Sequence, residues 1–104
     1  MENYDIIFFK PEKFEDTREC VNYIKANKIV HVNLFGLEPC VQQRILDFLS
    51  GAIFIQEGQI IKTGEEAFCT IPKTVKHLVA YPAKEQDIET SAQNEEEEII
   101  PTYR

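Results

Sequence analysis

Few residues in this chain have the chemistry for catalysis, and none stands in a catalytic pattern. Cys40 lies where a helix is predicted to begin, a setting that can lower a thiol pKa. Asp47 sits four residues after Gln43 and three after Arg44, where a carboxylate could serve as a general base or pair with Arg44 at i, i+3 spacing. Only two histidines, His31 and His77, are present, and neither stands in a recognisable catalytic signature. His31 falls on a predicted strand and reads as a half-buried structural or interface residue. Gly-x-Ser-x-Gly is absent around Ser50 and Gly51. Gly36, Gly51, Gly58 and Gly64 all read as turn residues rather than parts of a phosphate loop. No nucleophile, base and orienting group can be named together, so the expectation is a binding protein and not an enzyme. Cys20, Cys40 and Cys69 form no Cys-x-x-Cys pair. With the histidines they match no zinc spacing, so no metal, cofactor or disulfide framework is expected.

Two features suit peptide recognition better. Lys62 and Phe68 fall on consecutive predicted strands around Gly64. Together they could form the rim and floor of a groove with an apolar anchor. At the far end of the chain, Glu95–Glu98 precede Ile99, Ile100, Pro101, Thr102, Tyr103 and Arg104. Apolar anchors around a proline, flanked by charge, are how linear peptides occupy grooves.

These residues must be positioned by a small α/β domain. Tyr4–Phe9 reads as a strand, rich in β-branched and aromatic residues. Residues 12–27 read as a helix with acidic residues early and lysines late, and Asn27 is its expected stop. Ile29–Leu34 reads as a second strand, with Val30, Val32 and Leu34 on one face. A second helix is expected over Glu38–Ser50, with Pro39 in its first turn. Val41, Ile45, Phe48 and Leu49 form its apolar stripe, and Gly51 is its predicted stop. Three short strands should follow, Ala52–Gln56, Gln59–Thr63 and Ala67–Ile71, joined as hairpins at Glu57-Gly58 and Gly64-Glu65-Glu66. The expected fold is a compact two-layer α/β sandwich, two helices on a mixed five-stranded sheet in the order β-α-β-α-β-β-β. Val75, Leu78, Val79 and Tyr81 could add an extended piece or a packed arm. Residues 1–82 would form the domain, 83–94 a linker and 95–104 a peptide. Ile53–Ile55 and Ile60–Ile61 are apolar on both faces of their predicted strands. Two helices cover only one sheet face, so the other is expected to be covered in a homodimer.

The charge balance narrows the partners. The chain of 104 residues carries a net −7. Residues 1–82 hold nine Lys/Arg and eleven Asp/Glu, a net −2, and residues 83–104 hold two and seven, a net −5. Neither part offers the basic surface that nucleic acid requires. No stretch approaches the ~20 apolar residues of a membrane span, and the acidic start is neither a secretory signal nor a transit peptide. The odd count of three cysteines, with no Cys-x-x-Cys, fits a reducing cytoplasmic setting.

Val32-Asn33-Leu34, the run Gln43-Arg44-Ile45-Leu46-Asp47-Phe48-Leu49-Ser50-Gly51, then Gly64 and Phe68 through Pro72, resemble the SepF family of cell-division adaptors over about residues 4–72. The resemblance implies a dimeric α/β domain, able to polymerise, that binds the C-terminal tail of the tubulin-like protein FtsZ at the division septum. It needs no cofactor and catalyses nothing. Lys62 and Phe68 align with positions that contact the FtsZ tail. Gly51, with Phe48 beside it, falls where the family self-assembles. The family usually begins with an amphipathic membrane-binding helix, and Met1–Asp5 is too short and too acidic to be one. Either that helix has been removed or this member does not itself bind membrane. The segment Glu98–Arg104 resembles an FtsZ tail, so it could occupy the groove at Lys62 and Phe68 in its own subunit or a neighbour. An alternative is an interaction module of the same fold outside division, with the tail as its autoinhibitory or partner-recruiting peptide.

Overall fold

The structure, a computed structural model, describes residues 4–81. Strand β1 spans Ile6–Phe9. A 3-10 turn at Phe14–Asp16 leads into helix α1, Thr17–Lys25. Strand β2 is Ile29–Asn33, helix α2 is Pro39–Gln56, and strands β3 and β4 are Gln59–Gly64 and Ala67–Ile71. The sheet has four strands in the order β1-β2-β4-β3. The β1–β2 pair is parallel, spanned by the α1 crossover, and the other two pairs are antiparallel.

Local chemistry sets the element ends. The Asp16 carboxylate accepts the backbone N–H groups of Glu12 and Lys13 at 2.9 and 3.3 Å, fixing the entry to α1. The Thr17 hydroxyl donates to the Phe14 carbonyl. Asn27 takes a left-handed φ of 63° and ends α1, as expected from its short polar side chain.

The second helix differs from expectation. It runs through Gly51 and absorbs Ala52–Gln56, so the sheet has four strands instead of five. Ile45, Leu49 and Ile53 recur every four residues and are all buried in the core. That stripe continues beyond Gly51, and its burial outweighs the β-preference of Ile-Phe-Ile. The stop is Glu57, at a left-handed φ of 62°. Gly58 follows because a Cβ there would sit 2.5 Å from the Ile71 carbonyl oxygen. Gly51 has open space around it and is not a turn residue. The link at Glu57-Gly58 is therefore a helix cap, whereas Glu65-Glu66 does join β3 to β4 as a hairpin.

Both helices lie on one face of the sheet. Val30, Val32, Ile60 and Phe68 from the strands meet Cys20 and Ile24 of α1 and Ile45, Leu49 and Ile53 of α2 in a single core. The opposite face carries Ile6, Phe8, Ile29, His31, Ile61 and Cys69, which alternate with the core positions along each strand. Residues 72–81 form no regular element; Val75 is half-buried and Leu78 is 86% exposed.

Candidate functional site: the hairpin end of the sheet and the helix surface

Lys62 and Phe68 are direct cross-strand partners at the hairpin end of β3 and β4. Partners in an antiparallel pair project to the same face, here the helix-covered one. Phe68 is only 8% exposed and belongs to the core, opposite Val32 of β2 on its other side. It can be a groove floor but not an open pocket. Lys62 is half-buried, and the register shifts between it and Gly64. The only salt bridge among the described residues joins Lys73 to Glu57, leaving the Lys62 ammonium without a carboxylate partner there. Tyr81 brings its hydroxyl within 3.5 Å of the Lys62 carbonyl oxygen, so the segment after β4 returns to this edge. On the helix side, the Gln42 amide of α2 donates to the Leu37 carbonyl at 2.8 Å and reaches the Glu66 carboxylate at 3.4 Å. The Leu34 N–H donates to the Glu66 carbonyl at 2.7 Å. These contacts hold the hairpin against the start of α2.

A second surface lies on the outside of α2. Phe48, Phe54 and Ile55 are exposed, the last two at 75% and 74%, and the open Gly51 lies between them. Phe48 packs edge-on to Phe14 at 5.7 Å, and the Arg44 guanidinium lies 4.2 Å from the Phe14 ring centroid. Arg44 therefore does not pair with Asp47 at i, i+3. Asp47 instead accepts the Gln43 side-chain amide at 2.8 Å. The Phe14 ring offers the exposed arginine a cation–π contact in place of the carboxylate.

The third surface is the open sheet face. Phe8, His31, Cys69 and Ile61 form one lateral row across all four strands, each paired with its neighbour. Phe8 is 80% exposed. His31 packs tilted against Phe8 at 5.9 Å and places Nε2 3.2 Å from the Thr63 hydroxyl. Burial pushes the Cys69 thiol pKa up, so it is a poor nucleophile. Cys40 is exposed in the first turn of α2. Among the described residues, no group of three or more His, Cys, Asp or Glu is placed to hold a metal ion. None of their helices is long and apolar enough to cross a membrane. The motif Ile99, Ile100, Pro101, Tyr103, Arg104 lies outside the described residues. Of the two runs expected to be apolar on both faces of the sheet, Ile60–Ile61 lies in β3, with Ile60 in the core and Ile61 on the open face, whereas Ile53–Ile55 lies in α2. Ile6-Ile7-Phe8-Phe9 of β1 shows the same unbroken run and could have been found by the same rule.

The described residues form a two-layer α/β domain with apolar side chains exposed on both its sheet face and its second helix. The profile of the family described as "Cell division protein SepF" matches residues 6–76, and the chain belongs to that family. Relatives of that name are 36% identical over 72 residues in Acetivibrio thermocellus and 37% over 68 residues in Caldanaerobacter subterraneus. The alignments cover 69% and 65% of this chain and 46% and 51% of those proteins, so the chain spans about half the length of the curated relatives it matches. The SepF-like protein from Archaeoglobus fulgidus superposes with a TM-score of 0.67 at 17% identity, covering 76% of this chain and 98% of that one. The SepF-like protein from Pyrococcus furiosus gives 0.62 at 20% identity, covering 75% and 98%. At such identities the likeness is one of fold.

Proposed function

We propose that this SepF-family domain is a homodimeric adaptor that binds the C-terminal tail of FtsZ at the septum. The observation that carries the reading is the pairing of Lys62 directly with Phe68 at the hairpin end of the sheet. An apolar floor beside a cation without a carboxylate partner among the described residues suits a peptide that combines apolar anchors with acidic residues. The test is isothermal titration of an FtsZ C-terminal peptide into wild type and Lys62→Glu. Charge reversal should weaken binding at least tenfold, and equal binding by both would remove the groove assignment. The burial of Phe68 is what favours the rival reading, a same-fold module acting outside division. A well-folded dimer that captures no FtsZ in a pull-down would decide for it.

The homodimer forms through the open sheet face. Ile6, Phe8, Ile29 and Ile61 give this face apolar relief. A chain of net −7 repels its own copies, and a face without carboxylates is where two of them can meet with least repulsion. Higher assembly uses the outer side of α2, where Gly51 between Phe48 and Ile55 permits close helix approach. The chain's own Glu95–Arg104 competes for the groove at Lys62 and Phe68. Deleting these residues should raise affinity for the FtsZ peptide, since a tethered competitor acts at about millimolar effective concentration.

A further inference from the structure

His31 stands at the middle of the open sheet face, where the rest of the row is Phe8, Cys69 and Ile61. We propose that His31 makes the seating of a second copy on this face proton-sensitive: neutral imidazoles permit sheet-on-sheet association, and their protonation separates the copies. The inference rests on the sheet-face dimer proposed above.

The surroundings of the imidazole determine the sign. From β1 it meets the Phe8 ring; Asp5 and Lys10 flank that strand at its two ends, and the Lys10 ammonium donates to the Phe35 carbonyl at 3.0 Å. From β4 it meets Cys69, a thiol kept neutral by burial. From β3 it meets the Thr63 hydroxyl and the row partner Ile61, while Lys62 projects to the other face. No carboxylate of the described residues lies within salt-bridge reach of the ring. A second copy would remove the water that solvates an imidazolium and supply another uncharged row in its place. Burying an unpaired charge is disfavoured. Association therefore disfavours the protonated imidazole, and the dimer binds fewer protons than two free copies. Linkage then requires dissociation in acid. With two imidazoles per dimer, the dimer dissociation constant should rise between pH 7.5 and 5.5, by up to about 100-fold for each pH unit. Protonation of the chain's many carboxylates acts oppositely, because it relieves repulsion between acidic copies. The direction of the change separates the two causes.

Sedimentation equilibrium of the full chain from pH 7.5 to 5.5 tests this, on wild type, His31→Gln, His31→Leu, His77→Gln and Phe8→Glu. Circular dichroism at each pH confirms that the fold persists. Weakening in acid for wild type and His77→Gln, abolished in both His31 variants, is the expected result. A wild-type dissociation constant that is flat or falls in acid overturns the inference, as does the same acid weakening in either His31 variant. Phe8→Glu should be monomeric at pH 7.5. If it remains dimeric, the sheet-face reading itself fails, and that outcome is distinguishable from a failure of the His31 mechanism.

Discussion

Removing the Phe68 ring by Phe68→Ala would empty part of the core formed with Val32, Leu34 and Ile60. The expected cost is about 3–5 kcal/mol, read as a fall in urea midpoint. Lost peptide binding in that variant would therefore reflect unfolding as much as recognition. Lys62 reports on the groove more cleanly because its side chain is half-exposed and outside the core. The cysteines divide in the same way. Cys20 is fully buried, and its pKa is pushed up to about 12 by burial, with Glu19 adding to it. Its neutral thiol contributes stability that is present below the ordinary thiol range and lost as pH rises through about 12. Alkaline unfolding between about pH 9 and 12 should thus be less steep in Cys20→Ala than in wild type. At neutral pH, iodoacetamide should label the exposed Cys40 first, with Cys69 and Cys20 protected, as intact mass spectrometry would show.

At the scale of elements, α2 departs most from what its sequence suggested. Gly51 sits mid-helix with an ordinary backbone angle, and a methyl group added at its Cα would meet nothing within 4 Å. Gly51→Ala should stabilise the isolated domain by about 0.5–1 kcal/mol, measured by chemical denaturation. Gly58→Ala should destabilise it, because its methyl would meet the Ile71 carbonyl. The contrast shows what can be read from a sequence. Both glycines follow plausible helix residues, and only packing against β4 distinguishes the true stop. The first helix, the second strand and the β3–β4 hairpin were legible because Asn27, the Val30-Val32-Leu34 alternation and Gly64-Glu65-Glu66 are local signals. The run Ala52–Gln56 was not, since its β-branched residues favour a strand until Ile53 is seen to continue the stripe of Ile45 and Leu49. At the site, the placing of Lys62 and Phe68 on consecutive strands was legible, but their direct pairing depends on the register shift between Lys62 and Gly64, which no local signal encodes. The burial of Phe68 depended on which face the helices cover, which no local signal encodes. Arg44 stacking on Phe14 joins two elements through tertiary contact and was likewise invisible.

For the whole molecule, the strand pairs of the sheet differ in how they are built. The β3–β4 hairpin joins residues adjacent in sequence, whereas the central β2–β4 pair joins Val30 to Thr70 and Asn33 to Ala67, with all of α2 between them. Closing so long a loop costs entropy before any contact repays it. Completion of the sheet must therefore wait until α2 has docked, and the hairpin can form early. Destabilising changes at Thr70, which faces Val30 across that seam, should slow refolding measured by stopped-flow. Changes confined to β1, the outer strand added by a parallel pairing, should mainly speed unfolding. The order of the strands thus makes the face proposed for self-association one of the last surfaces to exist. A newly made chain has little opportunity to join a partner through a half-formed sheet.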